Sequence, residues 1–154
     1  MLGIMSIQKW LFKVIDMESI LQFKEYRVLE QVYTKDFESK INHDEVKLRE
    51  IKAGIAIDAD DKAQGRVELE ISLGDGDPND NKFYVKVKVS GIFRLESDND
   101  HEISEFANLL KVNGVAILFP YVRSLIAELT SKGSELPIIL PTFNVAELLE
   151  EVTE

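Results

Sequence analysis

Period-two runs dominate the middle of the chain. Val67, Leu69, Ile71 and Leu73 alternate with Glu68, Glu70 and Ser72, and Phe83, Val85, Val87 and Val89 alternate with Tyr84, Lys86 and Lys88. Successive side chains on a strand point to opposite faces, so each run predicts a strand with one apolar face and one wet face. Between them lies Gly74-Asp75-Gly76-Asp77-Pro78-Asn79-Asp80-Asn81, a turn cluster that predicts a hairpin. Upstream, Arg27 to Thr34 mixes Val28, Leu29, Val32 and Tyr33 with polar partners, and Val46, Leu48, Ile51, Ile55 and Ile57 mark another run. Four strands joined in order between about Lys24 and Leu95 predict an antiparallel meander with one face covered.

After Ser97-Asp98-Asn99-Asp100 the period becomes helical. Ile103, Phe106, Ala107 and Leu110 form one stripe, behind acids suited to a helix N-terminus. A longer helix is expected from about Ile117 to Lys132. Pro120 sits near its start, where a missing N–H costs little, and Gly133 supplies a left-handed stop. Leu118, Tyr121, Val122, Leu125, Ile126 and Leu129 give it an apolar face wider than a surface helix needs. Pro137 and Pro141 hold Ile138, Ile139 and Leu140 extended, and Asn144 with Glu147 resembles a capping box for a last helix over Val145 to Val152. The fold class is α+β: a four-stranded antiparallel sheet, then helices packed on one of its faces.

Residues 1–22 read as an amphipathic extension, and 23–154 as a single domain. In the extension Ile4, Ile7, Leu11 and Val14 recur at helical spacing, while Lys9, Lys13 and Asp16 interrupt any signal-like apolar core. Three readings stay open for it: packing on its own domain or a neighbouring subunit, membrane contact, and a translation start at Met17. No apolar run reaches the roughly 18 residues of a spanning helix, and the cytoplasm is the expected location.

The chain has 154 residues, 45% apolar and 30% charged, with a net charge of −10. Phosphate contacts need a basic face, so nucleic acid is an unexpected partner. There is no cysteine, hence no thiol chemistry and no disulfide framework. His43 and His101 stand among acids rather than beside a nucleophile, and no phosphate-cradling glycine motif occurs. The Asp75, Asp77 and Asn79 spacing looks calcium-like, but a calcium loop beginning at Asp75 wants Gly at its sixth place and Glu at its twelfth. Those places hold Asp80 and Lys86. No cofactor, metal site or enzymatic activity is expected. A helix apolar over most of its circumference cannot be enclosed by one small sheet, which predicts a homo-oligomer. Apolar surface left after assembly would bind something apolar.

Gly91-Ile92-Phe93, Ile117-Leu118-Phe119-Pro120-Tyr121-Val122-Arg123, Ser131-Lys132-Gly133 and the Pro-flanked segment before Phe143-Asn144-Val145-Ala146-Glu147-Leu148-Leu149 resemble the SecB family of protein-export chaperones. The likeness extends from about residue 25 to 152. It implies a dimer of dimers with the long helices between sheets, and an ATP-independent holdase. Such a holdase keeps non-native, extended polypeptides in apolar grooves and passes preproteins to the SecA motor. SecB-like chaperones of toxin–antitoxin systems, which protect an antitoxin, belong to the same family. An oligomeric interaction protein without client binding is the third reading.

The resemblance assigns roles to particular positions. Leu118, Phe119, Tyr121, Leu125, Ile126 and Leu129 would build core and oligomer interface. Phe37, Ile41, Phe143, Leu148 and Leu149 would contact clients. The acidic positions through which SecA docks fall on Asp36, Lys40 and Lys86, so only the first keeps its negative charge. A lysine in place of a carboxylate reverses the local attraction for a basic partner.

Overall fold

The structure is a computed structural model, and it describes residues 20–36, 46, 48–74, 83–97, 99–133, 135–142 and 147. Four strands form its sheet: β1 (Leu21–Thr34), β2 (Leu48–Ile57), β3 (Gln64–Gly74) and β4 (Tyr84–Leu95). A nearly continuous helical rod follows, made of α1 (Asp100–Ser104), α2 (Phe106–Leu109), a π-helical turn (Leu110–Gly114) and α3 (Val115–Thr130). The α+β class is as expected.

All strand pairs are antiparallel, in the order β1-β4-β3-β2. The expected meander therefore holds for β2, β3 and β4, whereas β1 does not neighbour β2. It pairs along β4 from Leu21 opposite Leu95 to Thr34 opposite Tyr84. The physical reason is that β4 has its second edge open once the β3–β4 hairpin closes. The long connection after β1 lets the chain return to the far side of β3. β1 also starts earlier than its polar pattern suggests. Register shifts between Phe23 and Glu25 and between Val28 and Glu30 break the period of two and hide the strand's first half.

The alternation of β3 and β4 sorts as predicted. Val67, Leu69, Ile71, Val85, Val87, Val89 and Phe93 lie at 0–1% exposure against Phe106, Leu110, Leu118, Val122 and Ile126. Three glycines let the rod lie close to the sheet. A Cβ on Gly65 would stand 2.4 Å from a Leu110 methyl, one on Gly91 2.8 Å from Leu118, and one on Gly114 2.8 Å from Val67.

The helical rod departs from expectation at Pro120. α3 starts at Val115, close to the expected place, but the π-turn Leu110–Gly114 runs directly into it, so Pro120 lies inside the helix and on its exposed side. It forfeits one backbone hydrogen bond where water can replace it. The span Phe106–Thr130, 25 residues, also has the length and composition to cross a membrane, contrary to the sequence expectation. In this fold one side of it is engaged on the sheet. Gly133, with φ 78°, provides the left-handed stop. The Asp75–Asn81 turn and, apart from Glu147, the last helix fall outside the described residues.

Candidate functional site

Among the described residues two sheet edges have no neighbouring strand. β2 borders only β3, and β1 borders only β4, so each carries a row of main-chain groups with no strand beyond it. On the helix-facing side of β2 the pattern that buries Ile51 continues through Ile55 and Ile57. These last two remain 38% and 40% exposed, with Leu48 at 37% at the other end of the strand. The sheet runs out there, so residues of core type line an edge. At the end of β2 an open cavity of about 300 Å³ is lined by Ala56, Ile57, Asp58, Gln64, Gly65, Arg66 and Ile92; Ala56, Arg66 and Ile92 form one cross-strand row of the sheet's outer face, opposite to that of Ile55.

The β1 edge has a different apolar surface. Tyr26 and Val28 are each 39% exposed. The Tyr26 ring lies 4.5 Å from that of Tyr121 on α3, and Phe23 lies 5.5 Å from Tyr121 and 5.2 Å from Phe93. Aromatic pairs at these separations add attraction beyond burial. The cluster ties the flank of α3 to the start of β1 and leaves a partly open aromatic face.

A strap follows the helix. Ile138 and Leu140 turn into the core while Leu136 and Ile139 face outward. Thr130 Oγ1 donates to the Ile126 carbonyl at 2.8 Å and accepts from the Ile138 N–H at 2.9 Å. Lys35 pairs with Glu135, joining the strap to the end of β1. Tyr33 is nearby, its phenol pushed up chiefly by burial.

The outer face of the sheet is polar and largely self-compensated. Lys86 Nζ lies 3.0 Å from Glu30, Lys88 3.6 Å and Arg66 3.7 Å from Glu68, and Lys52 3.2 Å from Glu50. At its end Arg94 donates to Asp61 at 2.8 Å. That hydrogen bond, together with the Ala63 N–H, holds the Asp61 carboxyl below its ordinary range. The hydrogen bond to Glu30 raises Lys86 above the usual lysine value.

Of the residues expected to face partners, Leu118, Phe119 and Ile126 are buried against the chain's own sheet, whereas Tyr121, Leu125 and Leu129 are half-buried on its flank. Phe37, Ile41, Phe143, Leu148 and Leu149 lie outside the described residues, as do Lys40 and His43. Asp36 is half-buried beyond β1, and His101 is exposed on α1. Among the described residues no cluster of His, Cys, Asp and Glu is arranged to hold a metal. The edge residues Ile55, Ile57, Phe23 and Tyr26 were not singled out from sequence. Their periodicity equals that of buried neighbours, and only strand order separates the two.

The family model for preprotein translocase subunit SecB matches residues 22–154. The chain belongs to the SecB family. Among relatives, an uncharacterized protein of Methanocaldococcus jannaschii, MJ0357, is 39% identical over 71 residues, covering 46% of this chain and 44% of that one. Protein-export protein SecB of Orientia tsutsugamushi (strain Boryong) is 38% identical over 72 residues, 46% of this chain and 43% of the relative. That of Acinetobacter baumannii (strain AYE) is 26% identical over 122 residues, 75% and 78%. The matched stretch thus spans less than half the length of the first two. Among solved structures, the Mycobacterium tuberculosis Rv1957 SecB-like chaperone, in complex with a ChAD peptide from the Rv1956 HigA1 antitoxin, superposes with a TM-score of 0.60. Its sequence identity is 14%, over 82% of this chain and 93% of the other. The likeness is one of fold.

Proposed function

We propose that this SecB-family chain is an ATP-independent holdase that keeps extended, non-native polypeptides along the β2 edge and the apolar surface beside it. The observation that carries this is the run Ile51, Ile55 and Ile57, which leads core-type side chains out to the β2 edge, where no strand follows among the described residues. Apolar contact is non-directional and stabilises by about 25 cal/mol per Å². Main-chain pairing along an edge is equally indifferent to sequence. The two together suit a chaperone that must hold many clients, and ordering entropy keeps release feasible. Phe37, Ile41, Phe143, Leu148 and Leu149 would extend this surface. Self-association belongs to the same reading, with Tyr121, Leu125 and Leu129 and the β1 aromatic face meeting a second copy, and two dimers joining. Leu118, Phe119 and Ile126 support that flank from beneath.

Delivery to SecA for export is the first destination proposed for the clients. The second is protection of an antitoxin, favoured by the Lys86–Glu30 pair at a position where SecA docking wants a carboxylate. The test is aggregation of a chemically unfolded client in buffer without nucleotide, beside a mass measurement by light scattering. Suppression at stoichiometric amounts by an oligomer is expected. A monomer that leaves aggregation unchanged would overturn the holdase reading. Binding to purified SecA, compared with binding to an antitoxin peptide, separates the two destinations.

A further inference from the structure

Six glycines lie among the described residues, and five have a structural reason to be glycine. Gly65, Gly91 and Gly114 sit where sheet and helical layer come too close for a Cβ, and Gly74 and Gly133 have left-handed backbone, with φ of 119° and 78°. Gly54 has neither reason. It lies within β2, it is exposed, its backbone is not left-handed, and a Cβ there would meet nothing within 4 Å. A glycine inside a strand costs stability, and where the fold does not require it, it marks the close approach of a ligand or another backbone. Ala56, the next residue of β2 on the same outer face, is also small and exposed, and it lines the open cavity at this end of the strand.

Main-chain parity says what can approach. The Asp58 N–H donates to the Gln64 carbonyl at 2.9 Å. In an antiparallel ladder the N–H and C=O of one residue point to the same side, and that side alternates along the strand. No register shift intervenes between Glu50 and Ile57, so Ala56, Gly54 and Lys52 direct their main-chain groups to β3. Ala53, Ile55 and Ile57 direct theirs to the edge, beyond which no strand follows among the described residues. A strand added there pairs its main chain with the isoleucines. Its residues opposite Gly54 and Ala56 then occupy non-hydrogen-bonded positions, where Cα atoms approach to about 4.5 Å and side chains are nearest. An aromatic ring at such a position folds over a facing glycine and covers its bare backbone. The edge of β1 offers no equivalent, because two register shifts interrupt its ladder.

From the unexplained glycine and this parity we infer that Gly54–Ile57 is a two-faced subsite for an extended run of consecutive apolar residues. An aromatic ring of the run lies over Gly54 and Ala56 on the outer face, and its aliphatic neighbours lie beside Ile55 and Ile57 on the inner one. Charge complements the ring. Arg66, the cross-strand neighbour of Ala56, has a side chain 54% exposed, with its Nε 3.7 Å from Glu68, and a guanidinium beside a π face is attractive. The earlier half of β2 differs, because its outer positions Glu50 and Lys52 form an ion pair at 3.2 Å. The inference rests on the holdase reading and names the class of segment held. Strands buried on both faces of their native sheets read as continuous apolar runs, and these fill both faces of the subsite. An amphipathic strand fills only the inner one.

The probes are two end-labelled peptides with a lysine at each end and isoleucine at alternate positions. One has threonine at every intervening position, and the other has phenylalanine at the central one. Binding to the full chain is read by anisotropy, beside Gly54→Val, Gly54→Ala and Arg66→Gln. The phenylalanine peptide is expected to bind about fivefold more tightly. Gly54→Val should bring the ratio to unity while the threonine peptide still binds, Gly54→Ala should lower it part-way, and Arg66→Gln should lower it about twofold. Amide exchange on the unsubstituted chain supplies the location. The phenylalanine peptide should newly protect the N–H groups of Ala53, Ile55 and Ile57 and leave those of Lys52, Gly54 and Ala56, which already face β3, little changed. Equal affinities of the two peptides, or a preference untouched by Gly54→Val, overturns the subsite while leaving the holdase reading standing. Protection along β1 instead of β2 overturns the location. Suppressed aggregation of an unfolded client with neither peptide bound also overturns the subsite alone. If neither peptide binds and aggregation is unchanged, the holdase reading falls and the subsite falls with it.

Discussion

The close seat of the helical rod on the sheet can be tested with one methyl group at a time. Gly65→Ala places a Cβ 2.4 Å from Leu110 Cδ1 and 3.2 Å from two Phe106 ring carbons. Leu110 and Phe106 are both fully buried, so the added atom meets packed neighbours instead of solvent. Overpacking of this kind costs about 1–3 kcal/mol. Gly91→Ala, 2.8 Å from Leu118 and 3.0 Å from Phe93, falls in the same range. Gly54→Ala on β2 is the control, because its Cβ would meet nothing within 4 Å. There the loss of unfolded-state freedom stabilises by about 0.4–1 kcal/mol. For a chain of this size each kcal/mol moves Tm by about 2–4 °C, so calorimetry resolves the opposite signs. A double-mutant cycle isolates the cause. In a Leu110→Ala background, itself destabilised by about 2–5 kcal/mol, the penalty of Gly65→Ala should shrink, with a coupling of about 0.5–3 kcal/mol. Equal effects at Gly54 and Gly65, or no coupling to Leu110, would refute the claim that a steric limit sets the rod's height above the sheet.

Thr130→Val keeps the side-chain shape but leaves the Ile138 N–H without its acceptor. A loss of about 1–3 kcal/mol and faster proteolysis within 135–142 are expected, measured by melting and timed digestion. Thr34 Oγ1 is buried and has no hydrogen-bond partner among the described residues. Thr34→Val should therefore be neutral or stabilising by up to about 1 kcal/mol in denaturant titration. Asp61 has a depressed carboxyl pKa in the fold, so its stabilisation is present above the ordinary aspartate value and is lost as pH falls through the lower one. Arg94→Met should flatten the corresponding part of the Tm-against-pH curve in acid. Lys86→Glu should strengthen binding to a basic SecA tail in a titration by calorimetry, and unchanged binding would remove that face from SecA recognition.

Periodicity exposed what is local. The β3–β4 hairpin, the wet and dry faces of its strands and the glycine stop at Gly133 all follow from neighbours in sequence. Strand order does not, because the pairing of β1 with β4 joins segments some sixty positions apart and leaves no mark within either. The two register shifts of β1 further scramble its alternation. Pro120 misled for a related reason. A proline is tolerated at a helix start and also on a wet helix side, and only the packing of Phe106 and Leu110 beneath Gly65 shows that the rod began earlier. The same limit governs the candidate site. Ile51 and Ile55 are indistinguishable in pattern, yet one is 8% and the other 38% exposed. What separates them is how far the helical layer reaches over β2, a property of the assembled layers.

Under the proposed holdase reading, charge favours holding polypeptide at an edge over the broad outer face. Lys86, Lys88, Arg66 and Lys52 each have a carboxylate within 4 Å, and these pairs sit half in water, where each contributes at most about 1 kcal/mol. An apolar client laid over them would strip their hydration and offer no compensating hydrogen bonds, a loss larger than the pairs themselves return. The β2 edge imposes no such cost, since its main-chain groups gain partners and its isoleucines lose water together. A basic docking tail meets the opposite problem on the outer face, where the attraction of Glu30 is already answered by Lys86. On the proposed holdase reading, the same lattice that disfavours clients on that face would also select which carrier can read it.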